Sequence, residues 1–165
     1  MRDAWTIIEA TWSATTEHAR ALPEVLVQAR VDDEWSFVET LRHLVFVTDA
    51  WVRRTILGEP HPYDRLALPP DADVDVRAWG IDMSSKASFA DVLTVRLDRM
   101  ATVKRVVDEL TPGSLARLGA QHPDPGFPPV TTLPAGMCLN VVISEEWAHH
   151  QYAVRDLARL EAPGA

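Results

Sequence analysis

The stretch "PAGMCLNVVISEEWAHHQYAVRDLARL", residues 134–160, carries apolar residues at helical spacing but interrupts them with an acidic pair and a histidine pair. Projected at about 3.6 residues per turn, Leu139, Ile143, Glu146, His150, Ala153 or Val154, Leu157 and Leu160 share one face. Glu146 and His150 therefore fall in the middle of the inward stripe. A carboxylate taken out of water without a partner costs several kcal/mol, or shifts its pKa until it is neutral. Something must compensate it. A divalent metal would, because side chains at i and i+4 project side by side and can grip one ion. A plain ion pair between the two is the alternative. The helix begins at Pro134, tolerated in a first turn where its missing N–H is not needed.

Three further helical runs precede it. Trp5, Ile8, Trp12, Thr15, Ala19 and Leu22 form a stripe that stops near Pro23, with a short turn of helix expected from Val25 to Ala29. The second run starts at Ser36, whose spacing to Glu39 is that of a capping box, and ends at Gly58 and Pro60. The third starts at Ser88, with Asp91 in the same relation, and its stripe of Phe89, Leu93, Leu97, Met100, Val103, Val107 and Leu110 reads as unbroken until "TPG". Long Pro-, Asp- and Gly-rich connections, residues 58–87 and 111–134, separate the second, third and fourth runs, and such connections are more often binding loops than tight turns. Phe127 to Leu133 reads as a short extended piece. The expected architecture is all-α: one domain over residues 1–165, a four-helix bundle with two decorated connections.

Composition bounds the function. The 165 residues have 47% apolar content, enough for one core, and a formal charge of −8. Lys and Arg are scattered, so nucleic acid is not an expected partner. The single cysteine, Cys138, excludes an internal disulfide framework and a cysteine-cluster zinc site, and points to a reducing cytoplasm. The start, "MRDAWTIIEATW", reads as neither a signal peptide nor a membrane anchor.

A third metal ligand is available on the second helix. His43 lies on a face with Thr40, Val47 and Ala50, and if the second and fourth helices are neighbours it converges with Glu146 and His150. Two histidines and a carboxylate suit zinc, nickel, iron or manganese and leave positions open for water or substrate. His149 and Glu145 point about 100° away from their neighbours; His149 reads as an exposed group or as a supporting neighbour of the ligands, and Glu145 as solvated. His18, His61 and His122 read as surface residues, with the mouth of the site as the alternative for His61 and His122; Trp35 and Trp147 read as packing groups, with the pocket wall as the alternative; Arg96 reads as a snorkelling surface arginine, with an anionic substrate as the alternative partner; and Cys138 reads as a small buried hydrophobe.

Beyond these patterns, "EWSFVETLRHLVFVTDAW" (34–51), "WGIDMSSKASFADVLTVR" (79–96) and "EEWAHHQYAVRDL" (145–157) resemble the DinB-like superfamily of metal-binding four-helix bundles, and the resemblance spans nearly the whole chain. It implies an up-down-down-up bundle with a metal between the second and fourth helices. Ligands in this superfamily are usually three histidines. Carried onto this chain, they are His43 from "RHL" and His150, with Glu146 standing where the remaining histidine would be. That His, Glu, His set is similar to the zinc site in the metal-binding domain of mycothiol-dependent maleylpyruvate isomerases. The resemblance implies a thiol-dependent S-transferase or isomerase, with zinc as the expected metal and nickel as an alternative, mycothiol as cosubstrate, a small electrophile as the second substrate, and a homodimer. Its rivals are a hydrolase using metal-bound water, a noncatalytic metal- or ligand-binding module, and a metal-free bundle in which Glu146 pairs with an imidazolium.

Overall fold

The computed structural model describes residues 1–70 and 76–162. Its elements are α1 (Arg2–Arg20), α2 (Glu24–Val27), α3 (Phe37–Thr48), a π-helical stretch (Asp49–Ile56) that continues α3, a 3₁₀ turn (Val76–Trp79), α4 (Phe89–Asp108), α5 (Pro112–Ala116) and α6 (Ala135–Leu160). The described residues contain helices and no strand. The expected extended piece at 127–133 forms no strand, and one isolated bridge, between Leu118 and Pro134, lies just beyond it.

Each long helix forms where the sequence supplies a buried stripe, and α3 and α4 add a side-chain cap at the start. In α1 the buried residues are Trp5, Ile8, Trp12, Thr16 and Ala19, spaced by three or four. The capping box of α3 is complete: the Ser36 hydroxyl accepts from the Glu39 amide at 3.2 Å, and the Glu39 carboxylate accepts from the Ser36 amide at 2.9 Å. Ser88 caps α4 by accepting from the Asp91 amide. Every residue of α3 except Glu39 is buried, which makes it the central helix. It packs against α4 and α6, and α1 closes over α4 and α6 from the other side. The shared core joins Trp5 and Trp12 to Leu41, Leu44, Val103, Leu139 and Val142. Burying an aliphatic side chain of this kind contributes ~1.5–3 kcal/mol.

Three local readings change. The second run does not stay α-helical to its end: from Asp49 it widens to i→i+5 bonding, as in the Leu57 amide donating to the Val52 carbonyl at 2.9 Å. Asp49, with no exposed surface, accepts from Arg99 Nε at 2.6 Å, Arg53 Nη1 at 3.1 Å and the Asp64 amide at 2.7 Å, and so ties this stretch to α4 and to the connection that follows. The α4 stripe is not unbroken. Leu97 is 49% exposed while Arg96 and Arg99 turn inward, because that face of α4 passes the buried carboxylates Glu146 and Asp49. "TPG" ends α4 and also starts α5, with Thr111 and Ser114 capping it and Pro112 in its first turn.

The first long connection is fastened by Arg42. Its three guanidinium nitrogens donate to the carbonyls of Leu66, Ser85 and Asp82 at 2.8–2.9 Å. Residues 71–75 of that connection lie outside the described residues. Among the described residues no helix is long and apolar enough to cross a membrane.

Candidate metal centre

His43 lies mid-way along α3, where the helix is enclosed, and its side chain is only 6% exposed. Its Nδ1 is 3.0 Å from the carbonyl oxygen of Leu68, in the connection that Arg42 fastens. A carbonyl can only accept, so Nδ1 carries a proton, and Nε2 is the ring nitrogen left to face other groups. Nε2 faces α6, where the Glu145 carboxylate stands 3.5 Å away. On the next turn of α6, His149 Nε2 lies 3.2 Å from the same carboxylate oxygen. One donor atom from each of His43, Glu145 and His149 falls within a mutual 4.8 Å, and among the described residues no other set of three His, Cys, Asp or Glu side chains does so.

Aromatic rings fix both imidazoles. Trp35, in the segment leading into α3, has its ring 4.6 Å from His43 and lies stacked on His149 at 6.0 Å. Tyr152 meets His149 edge-on at 5.8 Å. A cleft of about 330 Å³ opens beside His149, walled by Trp35, Thr40, Tyr152 and Asp156. Hydrogen bonds from His149 and His43 hold the Glu145 carboxyl down at about 2, so it is an anion at any ordinary pH. Two imidazoles, one of them oriented from behind by a main-chain carbonyl, and one ionised carboxylate form a donor set that fits a divalent transition metal.

Of the expected triad His43, Glu146 and His150, only His43 belongs to this group. Glu146 is fully buried, but it ion-pairs with Arg96 of α4, itself 1% exposed and lying 5.7 Å from the Trp12 ring. Burial pushes the Glu146 carboxyl up and the Arg96 guanidinium down, and their mutual attraction opposes both shifts. His150 faces α1, with Nε2 2.9 Å from the Thr15 hydroxyl and its ring edge-on to Trp12 at 5.1 Å. Burial pushes its pKa down, which keeps it neutral. The helical projection located the inward stripe, and Glu146 and His150 lie on it. The inward stripe leads to α1 and α4, whereas the route to His43 starts one residue earlier, on the shoulder of the helix. The compensating partner of Glu146 is an arginine that sequence reading had put on the surface.

A family model described as the DinB superfamily matches residues 7–153. The chain belongs to the DinB superfamily. No curated protein and no solved structure matches it. His43, in the "RHL" of α3, has an E-x-x-x-H partner on α6. That partner is Glu145 with His149 rather than Glu146 with His150.

The other candidates divide. His122 is buried, with Nε2 2.8 Å from the Glu59 carbonyl oxygen, so it holds two connections together instead of lying at the surface. His61 is exposed, and His18 pairs with Glu161 at 2.7 Å. Trp147 is 53% exposed, while Trp35 lines the candidate centre. The residues missed by sequence reading, Glu145 and His149, had one signal: "EEWAHH" contains two overlapping E-x-x-x-H pairs, one residue apart.

Proposed function

We propose that the protein is a metal-dependent enzyme whose divalent cation is held by His43, Glu145 and His149. One observation carries this reading: the Leu68 carbonyl orients His43 so that its Nε2 points at the carboxylate shared with His149. A histidine locked from behind in one tautomer is how ligating imidazoles are generally supported. Three protein donors leave coordination positions open, as catalytic sites do.

The chemistry we propose is thiol-dependent group transfer or isomerisation, with zinc as the metal, mycothiol as cosubstrate and a small electrophile entering by the cleft beside His149. A divalent cation here supplies a position that favours the thiolate of a bound thiol. The chain does the rest. Glu145 offsets one positive charge, and Trp35 and Tyr152 line the cleft. With a chlorodinitrobenzene as model electrophile, a carbon–sulfur bond forms, the carbon–chlorine bond breaks, chloride leaves and the thiol proton passes to solvent. The support is the His, Glu, His donor set, similar to that of mycothiol-dependent maleylpyruvate isomerases. The proposal includes one domain over the whole chain, an up-down-down-up order of its four long helices, a cytoplasmic setting and a homodimer.

Two measurements test it in sequence. Elemental analysis of the purified protein should give one divalent metal per chain, lost in His149→Ala; no stoichiometric metal ends the metal reading. Metal-loaded protein supplied with mycothiol and the chlorodinitrobenzene should form a thioether, and bound metal without that product ends the thiol reading alone.

A further inference from the structure

Arg54 lies on the π-helical stretch and is 1% exposed. Among the described residues no carboxylate comes within 4.0 Å of it. The other inward arginines differ. Arg96 meets Glu146, Arg99 meets Asp49, and Arg42 spends all three nitrogens on carbonyls at 2.8–2.9 Å. Arg54 has one short bond, Nη2 to the Asp124 carbonyl at 2.7 Å, and one long one, Nε to the Pro128 carbonyl at 3.5 Å. A guanidinium out of water without a counter-charge is costly, so the site favours an anion.

A groove of about 860 Å³ opens over Arg54, between the Val76–Trp79 turn and residues 121–129, and Trp79, Phe127 and His122 line it with Arg54. Its aromatic walls are fixed. Trp79 stacks on Tyr63 at 5.0 Å, Phe127 stands edge-on to Trp51 at 5.8 Å, and the Tyr63 hydroxyl donates to the Phe127 carbonyl at 2.7 Å and accepts from its amide at 2.8 Å. A Cβ on Gly126 would come within 2.7 Å of Arg54 Cζ, so glycine lets the main chain lie directly against the guanidinium. Among the described residues the rim carries one carboxylate, Asp124, which is solvated and therefore screened, whereas the Arg54 charge is enclosed. One enclosed guanidinium beside flat aromatic walls matches a single negative charge on a flat apolar body.

We propose that this groove binds a small aromatic monocarboxylate, with the carboxylate on Arg54 and the ring against Trp79 and Phe127. It is a separate site from the candidate metal centre: the Phe46 ring lies between them, 6.4 Å from His43 and 5.8 Å from Phe127.

The test is calorimetric titration of the full chain with benzoate and with its uncharged counterpart, benzyl alcohol. Benzoate should bind saturably and at least tenfold more tightly than benzyl alcohol. Trp79→Ala should weaken benzoate about tenfold, and a folded Arg54→Met should abolish the preference for the acid. His149→Ala should bind benzoate as the native chain does. No saturable binding, equal affinity for the alcohol, or full affinity in Trp79→Ala overturns the proposal even if Arg54→Met fails to fold. Loss of benzoate in His149→Ala also overturns it, by moving the carboxylate to the metal centre.

Discussion

Glu145 and Glu146 are chemically identical neighbours with opposite fates, and the difference is about 100° of helix. Glu145 reaches two imidazoles at the edge of the cleft, while Glu146 reaches a buried guanidinium. Substitutions should separate them. Glu145→Gln should lose bound metal, measured by elemental analysis, with little change in the urea midpoint of the metal-free protein. Glu146→Gln should keep the metal and lose stability. Arg96→Met should be worse, because it strands a buried carboxylate, and breaking such a pair from one side costs ~3–5 kcal/mol. Arg96→Met combined with Glu146→Leu should regain most of that loss in urea denaturation, since neither charge is left unpaired. Cys138 gives a pH-dependent case. Burial pushes its thiol from 9.0 up to about 11. The folded protein therefore keeps the proton that the unfolded chain gives up, and stability should fall as pH rises from 9 towards 11. Comparing urea midpoints of the native chain and Cys138→Ala at the two ends of that window checks the sign. At pH 8 the thiol should resist a disulfide reagent until the protein unfolds.

Among the helices, α3 does the positioning. Its capping box sets the start, its near-total burial sets the axis, and Arg42 and His43, adjacent on it, both bind carbonyls of the first connection. Ser36→Ala removes one side of the box and should cost about 1 kcal/mol in urea denaturation, with metal content unchanged. The stripes of α1 and α6 and the capped starts of α3 and α4 could be read from the sequence because caps and apolar periodicity are local signals. The inward face of α4 could not. Arg96 and Arg99 look like surface residues until the carboxylates across from them, on α6 and on the π-helical stretch, are in place. The widening after Asp49 was hidden for the same reason: the aspartate that anchors it is satisfied by Arg99, 50 positions away.

For the molecule as a whole, metal binding and folding should be linked, because the three proposed donors come from two helices that meet only in the native state. Chelation should lower the thermal midpoint of the native protein and leave that of His149→Ala unchanged, as scanning calorimetry would show, since a ligand bound only by the folded form stabilises it by mass action. The sequence alone determined a helical chain and its superfamily, and offered His43 and the E-x-x-x-H pairs of the last helix as candidate ligands. Those properties live in local spacing and in short motifs. Which of the two overlapping pairs faces His43 was decided only by tertiary structure, because it depends on the rotation of α6 against α3. That rotation is set by packing against α1 and α4, where Trp12, Thr15 and Arg96 claim Glu146 and His150 and leave Glu145 and His149 turned towards α3.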